Sequence, residues 1–586
     1  MGFHYICDKI NIVVDIKTEI ASVIKQSLTN FTSTKINFLI EKPQNESFGD
    51  YSSNAALVAS KILNKNPFDL AKQIVVLLNT KYKIQNTKLI EAVKPGFINF
   101  YLSEEYLKSQ LNMASNKTPL RPAQRDFEGR KIMVEFTDPN PFKEFHIGHL
   151  YSNTVGESVS RLLEATGANL KRANYQGDVG MHVAKAIYGI QKEMDQHGEE
   201  LKAWEVKPLK VRVQFLGRGY SRGAKDYEEN EEVRKEIEEL NKKIYAKDEA
   251  VMAIYKKGRQ WSLEYFKTLY KRLGTRFDFY YFESEVGVNG LELVKEYLKK
   301  GVFEESQGAV IFPGKKYNLH DRVFINSLGL PTYEAKELGL AFKKFSDFEY
   351  DQSIVITGNE IIGYFKVLLA ALGKINPDLA AKTKHLTHGM VRLPTGKMSS
   401  RSGNIVTGEW LLDEAKKLLK SKYPEIGDEI LEKVGVGAVK YALLKSGLGH
   451  DIEFSFEESI NIQGNSGPYL QYVYVRTKSV LSKAEEVGID LQAGPDVASY
   501  LTSEESGLMR AVYEFPEIVE KAAINFAPNV LCNYLFELGQ KYNLFYQKCK
   551  IIGSKEQKSR LILTKAVGDI IKKGLNLLGI EAPDKM

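Results

Sequence analysis

The sequence predicts an α/β protein: a doubly wound, Rossmann-like parallel sheet with a helical insertion, a small α/β N-terminal domain and an all-α C-terminal domain. Three observations lead to this prediction. Strand, helix and strand signals follow one another across residues 131–176. Residues 192–271 are rich in Glu, Lys and Tyr at helical spacing. Beyond Asn404, apolar residues recur mainly at helical intervals.

Composition limits the class of protein. A chain of 586 residues is too long for one core, and at ~150 residues per domain we expect about four domains. Apolar residues make up 43% and charged residues 26% of the chain, as in ordinary soluble proteins. The net charge of +7 suits a nucleic-acid partner without requiring one, because an excess of Lys is often only a solvated surface.

Cysteine usage and hydropathy indicate the compartment. The three cysteines form no C-x-x-C pair, which disfavours a disulfide framework and a thiolate zinc site. No apolar region follows a basic start at the N-terminus, and no 18-residue apolar run occurs. We therefore expect a cytoplasmic protein that is not secreted and does not span a membrane.

Residues 1–118 have the pattern of the small α/β domain. Helical apolar spacing runs through Ile10–Leu28 and Ala55–Leu63. Segments typical of strands cover Lys35–Leu39 and Gly96–Leu102, and turn-rich loops separate them. The residues alone indicate a domain here and assign it no function.

The parallel sheet is predicted to start after a polar linker. Lys131–Phe136 is a short apolar and β-branched run, Asp138–Pro141 breaks it, and a helix opens at His146. A second strand over Asn169–Gln176 completes a βαβ unit. The insertion, about 192–271, follows, and its simplest interpretation is a scaffold with exposed charged faces.

The sheet is predicted to continue after the insertion. The sequence predicts strands at Thr275–Ser284, Ala309–Pro313, Ser353–Thr357 and Lys384–Val391, and helices near Tyr333 and over Ile361–Leu372. Ligands of open α/β sheets bind at the carboxyl ends of the strands. We therefore expect the motif at His146 to share that edge with Asp178, Asn359 and Lys397.

The tetrad His146-Ile147-Gly148-His149 follows a strand and begins a helix. A helix start presents bare backbone N–H groups and a positive dipole end, which suit a phosphate. Gly148 lets the backbone approach the ligand, and two imidazoles three positions apart can both hydrogen-bond phosphate oxygens. The alternative interpretation is a chance match or an accidental pair of metal ligands.

A second motif, Lys-Met-Ser-Ser from Lys397 to Ser400, lies about 250 residues later in a Gly- and Ser-rich turn. The two motifs in this order resemble the signature motifs of the class I aminoacyl-tRNA synthetases. Residues 41–57 and 94–102 resemble the N-terminal appendage of the arginyl-tRNA synthetases. Residues 528–586 resemble the helical anticodon-binding domain of the same family.

The resemblance implies a division into four parts. Residues 1–118 would be an appendage that binds the tRNA elbow, and residues 119–404 would be the catalytic domain with its insertion. Residues 405–460 would form a helical connector at the tRNA stem. Residues 461–586 would bind the anticodon.

The resemblance also implies the activity of an arginine-tRNA ligase. Such an enzyme activates arginine with ATP to arginyl-adenylate, releases pyrophosphate, and transfers arginine to the terminal ribose of its tRNA. Mg²⁺ is expected to bridge the phosphates of ATP rather than occupy a protein cage, and no structural zinc is expected. The expected partners are the tRNA for arginine, L-arginine and ATP, without a membrane, for a monomeric enzyme.

The resemblance assigns the catalytic role to His146, His149 and Lys397. Lys397 would supply a point charge to the leaving phosphates. The residues implied in ATP binding are His146, Gly148, His149, Lys143, Lys397, Met398, Ser399, Ser400 and Gly358.

A guanidinium carries five donors, so an arginine pocket needs carboxylates and planar acceptors. Glu135 stands inside an apolar strand, where a carboxylate needs a cation, either the substrate or a neighbouring Lys. Tyr333 has packing in the core as its alternative. The residues implied in arginine binding are Glu135, Asn140, Tyr333, Glu337, Asp178 and Asn359, and those implied in tRNA binding are Tyr469, Tyr472 and Arg476.

Several positions depart from the family pattern. Val179 replaces a Trp, Ser400 replaces a second Lys, Glu337 replaces an Asp, and Ile361 and Ile362 replace two His residues. The longer side chain of Glu337 must retract, or the backbone must shift, to keep a bidentate contact. Arg401 and Lys143 are candidates to offset the missing cation.

Two other functions stay open at this point. One is a class I synthetase for another amino acid, although the missing cysteine clusters disfavour the zinc-bearing methionine, isoleucine and cysteine types. The other is a tRNA-binding paralogue without ligase activity, which the intact His146, His149 and Lys397 argue against.

Overall fold

We describe the chain from a computed structural model, which covers residues 16–43, 45–115, 126–393, 406–489 and 501–586. These residues form two compact units. The first unit takes the described residues before 126 together with those within 476–520 and 537–571. The second takes 126–475 together with 521–536 and 572–586.

The N-terminal part of the first unit is a four-stranded antiparallel sheet with helices. The strands, in spatial order, are Ile40–Glu41, Tyr51–Ser53, Phe97–Leu102 and Thr87–Val93. The helices are Ile16–Leu28, Ala55–Leu63, Pro67–Leu77 and Glu104–Ser115, with a 3₁₀ turn at Glu46–Phe48 and a π-helical turn at Leu78–Tyr82. The predicted helix Ala55–Leu63 is confirmed, and the strand predicted at Gly96–Leu102 starts one residue later.

The strand predicted over Lys35–Leu39 is wrong. The backbone there is irregular, and the first strand begins at Ile40. The N–H of Leu39 donates to the side-chain Oδ1 of Asn54 at 2.8 Å instead of to a strand. The apolar side chain of Leu39 is exposed, so the apolar pattern did not mark a core-facing segment.

The first unit also joins this N-terminal sheet to a helix from the C-terminal third of the chain. Arg510 Nε lies 2.8 Å from Asp50 Oδ1, and Lys42 Nζ lies 2.6 Å from Glu514 Oε1. Asp50 also accepts from the N–H of Leu102 at 2.7 Å. These ion pairs tie the sheet to the helix that carries Arg510 and Glu514.

The second unit is built on a five-stranded, all-parallel sheet. Its strands, in spatial order, are Thr383–His388, Gln352–Gly358, Lys131–Glu135, Asn169–Gln176 and Phe279–Phe282. The strand Lys131–Glu135 is central, and the strand order reverses there. This is the switch point of a doubly wound sheet, so the predicted fold class is confirmed.

Helices cover the sheet and form the insertion. The helix Ile147–Ala165, here called the signature helix, follows the central strand. The helices from there through the insertion are Met181–His197, Leu201–Glu205, Leu209–Glu229, Glu231–Tyr245 and Glu249–Leu273. Their own core includes Trp204 and Phe215, whose rings stack at 3.7 Å between centroids. The helical insertion of the predicted fold class is therefore confirmed.

The chain then returns to the sheet. The further elements are the helices Glu283–Lys299, Tyr333–Asp347, Ile362–Ile375 and Pro377–Lys382, the 3₁₀ turns Gly314–Tyr317 and Asn359–Ile361, and a three-stranded antiparallel sheet of Glu304–Ser306, Ala309–Phe312 and Arg322–Ile325. The strand predicted to run from Lys384 to Val391 stops at His388. Val391–Arg392 pairs instead with Ile452–Glu453, and Gly389 packs against the backbone of His450 too closely for a Cβ.

The rest of the described chain is almost entirely helical, as predicted. The helices are Gly408–Lys422, Asp428–Leu444, Phe456–Ser459, Gly467–Glu486, Ser503–Ile524, Pro528–Lys548 and Gln557–Leu577. Over the described ranges, no helix combines the length and the apolar character that a bilayer crossing requires.

Candidate active site

A strained turn follows the central strand at the carboxyl edge of the sheet. Thr137, Asp138 and Phe142 have φ angles of 82°, 43° and 67°, in the left-handed region that costs free energy for non-glycine residues. Ser152 Oγ accepts from the N–H of Thr137 at 3.0 Å, and Asn174 Nδ2 donates to the carbonyl oxygen of Phe136 at 3.0 Å. Side chains from the signature helix and the next strand thus hold the turn.

His146 caps the signature helix with its own side chain. His146 Nδ1 accepts from the N–H of Gly148 at 3.1 Å, and His149 Nδ1 accepts from the N–H of His146 at 3.2 Å. The two rings stack with centroids 3.6 Å apart. Because both Nδ1 atoms accept, both protons lie on Nε2. A Cβ at Gly148 would lie 3.0 Å from the His146 ring, so this packing favours glycine.

Both imidazoles are neutral at physiological pH. Burial, with the charge of Lys143, lowers the pKa of His146 to about 4. Burial, with His146 and Lys143, lowers the pKa of His149 well below its ordinary value. The pair therefore offers two neutral Nε2–H donors to an anion.

The backbone at this helix start is already bonded, which corrects the expectation of bare N–H groups. The N–H of Ile147 donates to Val406 O at 3.1 Å, and the N–H of His149 donates to His146 O at 3.0 Å. Gly148 N–H is used by the His146 ring. The hydrogen-bond donors that the motif presents are consequently the imidazoles rather than the main chain.

The second signature motif lies outside the described residues, so Lys397, Met398, Ser399, Ser400 and Arg401 have no described position. The described chain resumes beside the histidines. Val406 O bonds Ile147, and the N–H of Gly408 donates to Phe145 O at 2.8 Å. Lys397 precedes Val406 by nine residues, a separation that extended chain spans in ~30 Å.

A buried ion pair lies at the end of the central strand. Glu135 is 1% exposed, and its Oε2 lies 2.6 Å from the Nζ of the equally buried Lys344. The cation that the sequence predicts for Glu135 is thus supplied in this structure by a neighbouring Lys. Lys344 comes from the helix Tyr333–Asp347.

Glu337, on the same helix as Lys344, is the carboxylate left without a partner. It is half-buried, and within the described residues it accepts no hydrogen bond and forms no ion pair. Burial, with the charges of Glu135 and Asp138, raises the pKa of Glu337 well above its ordinary value. Burial and Glu135 do the same to the pKa of Asp138. A cationic ligand would favour the ionised form of these carboxyl groups.

A second buried ion pair joins Lys336 to Glu283. Lys336 Nζ lies 2.6 Å from Glu283 Oε2, and burial raises the pKa of Glu283. Asn140 Oδ1 accepts from the N–H of Gly177 at 3.1 Å. A Cβ at Gly177 would lie 2.4 Å from that oxygen and 3.1 Å from Glu283 Oε1, so this close approach requires glycine.

Two tyrosines present hydroxyl groups here. Tyr333 is 52% exposed, and its OH lies 3.5 Å from Nδ1 of His182, so the alternative that Tyr333 is a core residue is wrong. Tyr175 is buried, and its hydroxyl has no hydrogen-bond partner among the described residues. Burial and the charges of Glu283 and Glu337 raise the pKa of Tyr175 well above its ordinary value.

Asp178 is fully occupied by protein donors. It is 0% exposed, and its Oδ2 accepts from Arg259 Nε at 2.8 Å, Ser284 Oγ at 2.8 Å and the hydroxyl of Tyr255 at 3.1 Å. Its Oδ1 accepts from the N–H of Ser284 at 2.9 Å. The structure therefore gives Asp178 a positioning role, because it fastens the insertion helix Glu249–Leu273 to the strand ends.

The adjacent strand ends at Gly358, where a Cβ would lie 2.1 Å from the Glu360 carboxylate. Asn359 is half-buried in the turn that follows, and its side chain makes no hydrogen bond within the described part of the chain. Ile361 and Ile362 stand where the family pattern has histidines, and Ile362 is exposed. The turn thus presents the side-chain amide of Asn359 and the apolar surface of Ile362.

The three residues implied in tRNA binding differ in exposure. Tyr469 is buried, with its ring 5.4 Å from that of Phe536, so it belongs to the helical core. Tyr472 is half-buried and lines a small cavity with Met586. Arg476 donates to Asn543 Oδ1 at 2.5 Å.

An open cavity of about 760 Å³ lies in the N-terminal part of the first unit. Its wall includes the exposed rings of Phe48 and Phe97. Lys42, Lys61 and Lys94 also line it. Aromatic surface beside ammonium groups suits stacked bases and phosphate.

Sequence reasoning missed the lysines of the two buried pairs. A signal was present, because Tyr333, Glu337 and Lys344 recur at intervals of four and seven and so share one helix face. A lysine on the same helix face as a candidate ligand residue is a candidate partner for a buried carboxylate of the site. Its partner, 209 positions away, has no local signal.

Comparisons with known proteins match all parts of the chain. Residues 112–456 match the family model described as class I (R) tRNA synthetase catalytic domain, residues 470–586 the DALR anticodon-binding domain, and residues 15–102 the arginyl-tRNA synthetase N-terminal domain. An arginine-tRNA ligase of Flavobacterium psychrophilum is 32% identical, over 89% of this chain and 90% of its own length. One of Treponema denticola is 32% identical over 96% and 98%. The fold resembles Thermus thermophilus arginyl-tRNA synthetase, with a TM-score of 0.78, 23% identity and coverage of 98% of this chain and 100% of the other.

Proposed function

Because the chain belongs to the arginyl-tRNA synthetase family of class I aminoacyl-tRNA synthetases, we propose that the carboxyl edge of its parallel sheet is where arginine meets ATP. The chain is an arginine-tRNA ligase. It activates arginine with ATP to arginyl-adenylate, releases pyrophosphate, and transfers arginine to the terminal ribose of its tRNA.

One observation carries the assignment of the amino-acid pocket. The Glu337 carboxylate is half-buried beside Glu135 and Asp138 and has no partner of its own within the described residues. An unpaired carboxylate in such surroundings is costly unless a cation binds it. The planar guanidinium of arginine matches a carboxylate with two parallel hydrogen bonds.

The histidine pair is proposed to hold the phosphates of ATP. Each ring uses Nδ1 inside the motif and presents Nε2–H. The arginine carboxylate attacks the α-phosphorus, a C–O–P linkage forms, and the bond to the β-phosphate oxygen breaks. Donors fixed in advance stabilise the charge that develops on the phosphoryl oxygens without reorganising, so catalysis here is positioning and electrostatics.

The remaining ATP contacts are proposals from the family resemblance. Lys397 would stabilise the leaving pyrophosphate, with Met398, Ser399 and Ser400 around it. Lys143 supports this role from the described side, because it lies close enough to lower the pKa values of both signature histidines. Gly358, which ends the adjacent strand, is proposed as a further ATP contact.

ATP is proposed to bind with Mg²⁺. Within the described ranges, no group of three or more His, Cys, Asp or Glu side chains could hold a metal ion. Mg²⁺ would neutralise phosphate charge from the ATP side.

Around the guanidinium site, further residues are proposed to orient arginine. Asn140 is held by Gly177 at the strand ends, and Asn359 supplies an amide from the adjacent strand. Tyr333 is exposed one helical turn before Glu337. Asp178 contributes indirectly, through the insertion helix.

The partner is proposed to be the tRNA for arginine. Residues 1–118 would bind its elbow, where the cavity at Phe97 offers rings and ammonium groups. Residues 405–460 would meet the stem and residues 461–586 the anticodon, with Arg476 and Tyr472 as candidate contacts. We propose a cytoplasmic monomer.

Amino-acid-dependent exchange between ATP and pyrophosphate tests the function. The assay is run with each of the twenty amino acids, with and without tRNA. We expect exchange with arginine, strongest when tRNA is present. Exchange driven by another amino acid would reject the specificity, and no exchange under any condition would favour a tRNA-binding paralogue.

A further inference from the structure

Lys344 forms an ion pair with the carboxylate of Glu135, which the family resemblance assigns to arginine binding. The Nζ and Oε2 atoms are 2.6 Å apart, and both side chains are almost completely buried. Burial alone would lower the pKa of Lys344, but Glu135 raises it above the ordinary value. The ammonium is therefore permanent at physiological pH.

The helix geometry brings this ammonium to the pocket. Lys344 follows Glu337 by seven positions and Tyr333 by eleven, so the three side chains share one helix face. Lys344 acts electrostatically on Glu337 as well as on Glu135. One resident cation thus acts on three carboxylates, those of Glu135, Glu337 and Asp138, and it is bonded only to Glu135.

The charge balance follows from this arrangement. With Glu135 neutralised by Lys344 and Asp138 accepting from the N–H of Tyr175, Glu337 is the carboxylate left to pair with one guanidinium. Without Lys344, two carboxylates would compete for the same cation. Without Glu135, a buried ammonium would repel it.

We propose that Lys344 is a positioning residue for arginine selection: its ammonium holds and neutralises Glu135, and this leaves Glu337 as the carboxylate that receives the guanidinium. The inference rests on the proposed function of the pocket. It assigns Glu135 to the support of the site rather than to direct contact with the substrate.

The test is a double-mutant cycle in the full-length enzyme with ATP and tRNA. The variants are Glu135→Gln, Lys344→Met and the double substitution, and the KM for arginine, the KM for ATP and kcat are measured. We expect each single variant to raise the KM for arginine about tenfold with the KM for ATP unchanged, because each leaves an unpaired buried charge. The double variant should return to within about threefold of the wild type, since it removes both charges together.

Direct contact between Glu135 and the substrate predicts a different result. In that case the double variant is as weak as Glu135→Gln alone, and the proposal is overturned. Unchanged KM for arginine in both single variants also overturns it. Should Lys344→Met not fold, the comparison of Glu135→Gln with the double variant still decides, and Lys344→Arg should retain arginine binding.

A matched control lies on the same helix. Lys343 is half-exposed and pairs with Asp347, so Lys343→Met should leave the KM for arginine at the wild-type value. An equal effect of Lys343→Met would mean that any charge change on this helix matters, which overturns the specific role of Lys344. Failure of the proposed function is seen separately, as wild-type enzyme that activates another amino acid.

Discussion

Replacement of Glu337 by Gln tests the guanidinium site most directly. The substitution removes the charge and keeps the shape. A hydrogen bond to a charged group contributes about 1.5–3 kcal/mol, which corresponds to about 10- to 150-fold in affinity. Because Glu337 is half-buried, we expect the lower part of that range. Glu135 is already paired with Lys344, and Asp138 accepts from the N–H of Tyr175, so neither carboxylate replaces Glu337.

The same carboxyl links arginine binding to pH. Burial and neighbouring carboxylates raise the pKa of Glu337 in the free enzyme, and a bound guanidinium would lower it again. Binding below the free-enzyme pKa therefore releases a proton, and arginine affinity rises with pH until that pKa is passed. Above it, the affinity should be constant.

Calorimetry measures both effects in one experiment. Arginine is titrated into the enzyme below the free-enzyme pKa of Glu337, which the pH dependence of the affinity locates, in two buffers that differ in ionisation enthalpy, so that proton release appears as a difference in heat. The wild type should release a proton, and Glu337→Gln should bind more weakly and release none. Equal proton release by both proteins, or unchanged affinity in the variant, would refute the assignment.

Three further predictions concern the phosphate site and its supports. The kcat at saturating arginine should show no histidine titration between about pH 6 and 8, because the pKa of His146 lies at about 4; a step in that range would contradict neutral donors. Lys397→Ala should lower kcat by about 100-fold and leave the KM for arginine nearly unchanged, whereas equal losses would count against its role at the pyrophosphate. Gly177→Ala should raise the KM for arginine by about tenfold, because its Cβ displaces Asn140. Gly373→Ala, in a helix with free space, is the control and should keep wild-type kinetics.

The fold was predictable where the pattern was local. The strand at 169–176 was predicted with its observed ends, because it completes the βαβ unit after the signature helix and ends at the turn at Gly177. The segment 35–39 has an apolar pattern, but a side chain from position 54 takes its backbone bond. The strand predicted at 384–391 ends at 388, and residues 391–392 pair with the distant strand 452–453. Both differences depend on contacts that a local pattern does not contain.

The candidate site divides in the same way. The histidine pair was predictable because both rings and their hydrogen bonds lie within four residues. The partner of Glu135 is 209 positions away, so the sequence indicated the need for a cation without its source. The bare helix start was wrongly expected, because a strand-like segment at Val406 satisfies it from far along the chain.

The ion pair between Asp178 and Arg259 gives the insertion a structural role that its exposed, charged faces do not indicate. Deleting residues 192–271 to obtain a smaller ligase would remove two partners of the buried Asp178 carboxylate. These are its counter-ion, Arg259, and the hydroxyl of Tyr255. A shortened protein would need Asp178→Asn, or a graft that keeps Glu249–Leu273, before its domain could be expected to fold. The helix Glu249–Leu273 should therefore be kept, and deletions should be confined to the shorter helices that precede it.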